Sequence, residues 1–134
     1  MRIPMITVVG ALLAAGPAFA HHPFSDEFDV NSPVRLQGKV TQVDWSNPHV
    51  MIHMTATAAN GNQNWTLEAA STGDLARKGW SRETLKVGDQ ITVEGFKAKS
   101  EPTTAAARVV ELPGGKKLSA ADDGDGGPKS PPIP

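Results

Sequence analysis

The sequence predicts an all-β domain with one short helix, built most simply as a small OB-fold-like five-stranded barrel, with a β-sandwich as the alternative. Three observations lead there. Five short segments between Val34 and Leu118 alternate apolar and polar residues, with turn signals between them. The apolar parity slips by one inside the first segment, the mark of a bulge that bends a strand. The single stretch with helix start and stop signals falls between the third and fourth strands, and this helix position separates the OB plan from a generic sandwich.

Residues 1–20 read as a signal peptide. Arg2 supplies the positive start, Ile6 to Ala15 is an apolar run too short to span a bilayer, and Ala18-Phe19-Ala20 offers the small-x-small cleavage pattern. Residues 21–33 form a polar amino-terminal arm in which Phe24 and Phe28, four apart, share one side of a helical turn and pin the arm to the domain. Ser32-Pro33 ends the arm.

The domain itself is assigned to residues 34–118. In the first strand Val34, Leu36, Gly38 and Val40 share one face, then Val43 and Trp45 shift the parity. Asn47-Pro48 is a turn. The second strand runs from His49 to Thr57, with Val50, Ile52 and Met54 facing inward. Asn60-Gly61 is a hairpin signal, and Trp65, Leu67 and Ala69 line the third strand. Ser71 or Thr72 caps a helix that Gly79 ends. Ile91, Val93 and Gly95 mark the fourth strand. In the fifth, Ala107, Val109 and Glu111 alternate with Arg108, Val110 and Leu112. Pro113-Gly114-Gly115 is a turn after which Lys116 to Leu118 can pair back. Residues 119–134 carry Ala, Asp, Gly and Pro with Ile133 as the one large aliphatic side chain, and are expected to be a disordered tail.

Several of these strings occur together in a known family. Ala20-His21-His22-Pro23-Phe24, Glu27-Phe28-Asp29, the run from Gly38 to His49 ending in Trp-x-Asn-Pro-His, Arg77-Lys78-Gly79-Trp80 and Leu85-Lys86-Val87-Gly88-Asp89 make the chain resemble a family of uncharacterised exported bacterial proteins. The resemblance spans nearly all of residues 1–118. It implies a small exported domain and no established activity. Pro23 stands where the family pattern leads one to expect Ser.

Composition narrows the function. The 134 residues include no cysteine, so neither a disulfide nor a lipid-modified cysteine is available. Without Arg2, 12 Lys and Arg stand against 14 Asp and Glu, a net charge of −2. That balance, with an exported address, argues against nucleic acid as a partner. No Gly-x-Ser-x-Gly, cysteine nucleophile or Gly-rich phosphate loop is present, so the chain reads as a binding module and not an enzyme. Asp122-Asp123-Gly124-Asp125 lacks the spacing and closing Glu of a calcium loop. Trp45, Trp65 and Trp80 read as core.

The four histidines, His21, His22, His49 and His53, are the candidate metal ligands. Cleavage after Ala20 would make His21 the amino terminus, whose α-amine and Nδ1 close a chelate ring. An α-amine has a pKa of only about 7.7–8.0, so a metal ion displaces its proton near neutrality. A third imidazole completes a nitrogen set suited to Cu(II), with zinc the lesser candidate. His49 and His53 lie four apart in a strand, roughly 13 Å along it, too far for both to grip one ion unless the strand bends. Met51 between them is a soft donor. The expectation is therefore a periplasmic or secreted binding module with a copper site anchored by His21, supported by His22 and His49. A metal-free module that binds an envelope protein or glycan is the alternative. After cleavage no membrane anchor remains.

Overall fold

The computed structural model describes residues 22–132. The leader and His21 lie outside them. A one-turn helix, α1 (Phe24–Glu27), leads into a long strand, β1 (Phe28–Asp44). There follow β2 (Met51–Ala58), β3 (Gly61–Glu68), α2 (Thr72–Arg77), β4 (Gln90–Ala98), β5 (Thr104–Glu111) and the short β6 (Lys117–Ser119). The strands form one sheet in the order β3-β2-β1-β4-β5-β6, and an additional parallel pairing of β3 with β5 closes the first five into a ring. The all-β class, the short helix between β3 and β4 and the pair-back after residue 115 are as the sequence predicts.

The inward faces follow from alternation. Val50, Ile52 and Met54 of the second strand, Trp65 and Leu67 of the third and Ile91 and Val93 of the fourth are all buried in the main core. The bulge expected in β1 is present as a register shift between Val40 and Gln42 against β2. Close packing at the strand crossing explains Gly38: a Cβ there would overlap the Thr55 carbonyl oxygen. Trp65 and Trp80 are buried, and Trp45 packs against the same core.

Three expectations need correction. First, the arm does not end at Pro33. Strand β1 begins at Phe28, and Pro33 pairs with Phe96 of β4. Pairing with β2 starts only at Gly38, so Pro33 has a strand neighbour on one side and its missing N–H leaves no gap in a ladder. Second, β5 does not keep simple alternation. Gly95 pairs with Ala107 and Glu94 with Val109, so Arg108 is the extra residue of a bulge. Third, the tail is not disordered through residue 132. Ala120, Ala121 and Asp122 are buried. Ala70 N–H donates to Ala120 O at 3.0 Å, Ala120 N–H donates to Arg108 O at 2.9 Å, and Trp80 Nε1–H donates to Ser119 O at 2.8 Å. Small residues were read as unable to bury. Here they pack because the space is narrow.

The outer face of β5 has its own cover. Phe24, Phe28, Phe96 and Ala106 form a second cluster beneath the arm. The Phe24 and Phe28 rings stack at 5.3 Å and Phe24 meets Phe96 edge-on at 5.6 Å. The arm is thus pinned by Phe24 and Phe28, as their spacing suggests. Among the described residues, no helix is long and apolar enough to cross a membrane.

Candidate functional site

The β3–β5 closure positions a cleft. Glu68 ends β3 opposite Ala106 of β5. His49 stands just before β2, where Val50 and Ala69-Ala70 continue the β2–β3 ladder by hydrogen bonds of 2.9 and 3.0 Å. The arm walls one side and the tail the other, joined by Phe24 N–H donating to Asp125 O at 2.9 Å. The cavity between them, about 230 Å³, is lined by His22, His49, Glu27, Glu68, Arg108, Asp122 and Asp125 among others.

The Trp-x-Asn-Pro-His string builds one wall. Asn47 Oδ1 accepts from the backbone N–H and the hydroxyl of Thr72, both at 3.0 Å, tying the turn to the start of α2. Pro48 and His49 then line the cavity. The His49 ring is held by Nδ1, which is 3.1 Å from Ala69 O. A carbonyl oxygen only accepts, so Nδ1 carries a proton and donates it there, and Nε2 is the nitrogen left to face the cleft. That Nε2 lies 3.3 Å from Glu68 Oε1.

Glu68 is in an adverse place for a charge. Burial pushes its carboxyl above the usual carboxylate range. Glu27, Asp125 and Asp122 push it the same way, and His49 opposes them. Arg108 forms the floor. It is 1% exposed, and its guanidinium carbon sits 4.4 Å from the Phe24 ring centroid. Its Nη2 lies 2.8 Å from Asp125 Oδ2, a close ion pair whose approach angle is not that of a hydrogen bond. Its Nε has no protein acceptor among the described residues.

The predicted ligands divide. His22, which is exposed, and His49 come to the same cleft. His53 does not. Its Nε2–H donates to Asp44 Oδ2 at 3.0 Å and its Nδ1 lies 3.4 Å from the Thr66 hydroxyl, so both ring nitrogens are engaged on another part of the surface. Asp44 is held below the usual range by hydrogen bonds from Gln42 and His53. Met51 is not among the cavity residues. Among the described residues, no three His, Asp or Glu side chains already converge as a ligand set; His21 lies outside them.

Sequence reasoning missed Glu68 and Arg108, and weighed Asp122 and Asp125 only as a calcium loop, which it set aside. One signal was available: Arg108 interrupts an otherwise apolar run from Ala105 to Val110. Glu68 had none, because a polar residue following Leu67 is what an outward position demands.

The model of a family of unknown function, DUF6152, matches residues 10–107. The match includes all four histidines and Glu68 and stops before Arg108 and the tail. No curated protein matches the chain.

Proposed function

The chain belongs to this family, whose description carries no activity, and from the cleft we propose that it is an exported small binding module for a transition-metal ion, copper ahead of zinc. His21, freed as the amino terminus after Ala20, is the anchoring ligand through its α-amine and Nδ1. His49 supplies the domain's imidazole and His22 supports them. His53 lies outside the site.

One observation carries this reading: His49, its Nδ1–H held by a backbone carbonyl, turns Nε2 toward the cleft that His22 lines. A ring whose other nitrogen donates to a backbone carbonyl is the usual arrangement of a metal-binding histidine, since the second hydrogen bond fixes tautomer and direction. His21 is bonded directly to His22, which lines the cleft. The side chains that line the cleft offer nitrogen and oxygen donors, which suit Cu(II) and Zn(II).

Titration calorimetry with Cu(II) on untagged protein beginning at His21 tests the reading. Adding one residue before His21 should weaken binding tenfold or more, as loss of a ligand costs at least about 1.4 kcal/mol. His49→Ala should do the same and His53→Ala much less. If neither the blocked terminus nor His49→Ala changes affinity, the histidines bind adventitiously. A metal-free module for an envelope protein or glycan then becomes the better account.

A further inference from the structure

Resting on the metal reading, we propose that Glu68 is a ligand of the same ion and makes the cleft selective for a divalent ion, Cu(II) or Zn(II), over Cu(I). Two groups able to bind a metal ion face each other across the cleft. His49 Nδ1–H is committed to Ala69 O, which leaves Nε2 facing the carboxylate oxygen of Glu68 at 3.3 Å. A proton on Nε2 makes this an ion pair, and a metal ion in the proton's place would be bound by both groups. For bonds of about 2.0–2.1 Å, neighbouring ligands in a tetrahedral shell stand about 3.3–3.4 Å apart, and in a square-planar shell about 2.9 Å. The pair is already at the first spacing and a few tenths of an ångström from the second.

The rest of the cleft agrees with a cation of charge two. Glu27, Asp122 and Asp125 line it with Glu68, while Arg108 offsets one carboxylate through Asp125. The guanidinium is buried beside these carboxylates, and its Nε lacks a protein acceptor among the described residues. Hard carboxylate oxygen disfavours Cu(I), which is bound best by thiolate and thioether. The cleft offers neither: the chain has no cysteine, and Met51 is not among the lining residues.

The test compares Glu68→Gln and His49→Ala in untagged protein beginning at His21. Cu(II) affinity is measured by calorimetry, and Cu(I) affinity anaerobically by competition with a chromogenic chelator. Glu68→Gln should weaken Cu(II) binding tenfold or more and Cu(I) binding less than threefold. Electron paramagnetic resonance of the Cu(II) form should shift on the same substitution. Should Glu68→Gln lose its melting transition, Glu68→Asp, which keeps the charge but withdraws the oxygen, gives the same comparison. Equal losses for both ions would overturn the selectivity. Unchanged Cu(II) binding in Glu68→Gln, with weakened binding in His49→Ala, would overturn Glu68 as a ligand and leave the metal reading standing. No change in either variant would remove both.

Discussion

Asp125→Asn tests whether the tail is part of the fold. The substitution keeps the shape of the side chain and removes its charge. In the native protein that charge lies 2.8 Å from Arg108, whose side chain is 2% exposed. Removing one member of a buried pair costs about 3–5 kcal/mol, mostly the expense of leaving the other charge dry and unpaired. Asp125 is not fully buried, so the lower end applies, about 3 kcal/mol. A domain of this size is stable by roughly 5–15 kcal/mol, so the loss is a large share of the total. At about 4–8 °C per kcal/mol, the melting temperature should fall by roughly 12 °C or more. A double-mutant cycle isolates the pair. Arg108→Met removes the buried charge and leaves an apolar side chain over Phe24. Asp125→Asn in that background should then cost less than about 1 kcal/mol. Urea unfolding of the four proteins gives the coupling directly. A cost below about 1 kcal/mol for Asp125→Asn alone, or the same cost with and without Arg108, would show that this pair does not hold the tail.

Other outcomes are equally specific. Ile52→Ala should cost roughly 2–5 kcal/mol through cavity formation, and Met51→Ala, on the outward parity, much less; equal losses in denaturant unfolding would mean that the faces of β2 are misassigned. Lys78, hydrogen-bonded to Asp123 at 3.0 Å, holds the Asp123 carboxyl below the usual carboxylate range. A lowered folded-state pKa contributes stability that is present above the unfolded value and lost as pH falls through the folded one. Asp123→Asn should therefore flatten the acid limb of the stability profile below about pH 4, and an unchanged limb would refute the contact. Intact-mass measurement of exported protein should find His21 first; a dominant species beginning at Phe19 or Ala20 would put a histidine third in the chain and change the coordination chemistry.

Much of the ring was legible because burial on one side writes a period of two into the chain. Val50, Ile52 and Met54 show it, and the parity slip after Val40 revealed the bulge in β1. Strand β5 was harder. Ala105 and Ala107 face the main core while Ala106 lies under Phe24 and Phe96, so both faces are apolar and no alternation survives. The tail was misread for a different reason. Composition measures how much surface a segment can bury, not whether a narrow space exists for it. Gly127 fits against Phe24 and Arg108, where a Cβ would overlap both. The Pro33 stop failed because a strand with one neighbour tolerates proline. Of the cleft, the histidines were visible by residue type alone. Glu68 and Arg108 became meaningful only when the β3–β5 pairing set one strand's end beside another's bulge.

The hydrogen bond from Phe24 to Asp125 joins opposite ends of the described chain. A polypeptide emerging amino end first holds His22, His49 and Glu68 well before it holds the segment that walls them in. During synthesis those side chains belong to an open, solvated surface. The walled cleft comes into being only once residues 120–127 have emerged, so the order of emergence separates these side chains from their enclosure.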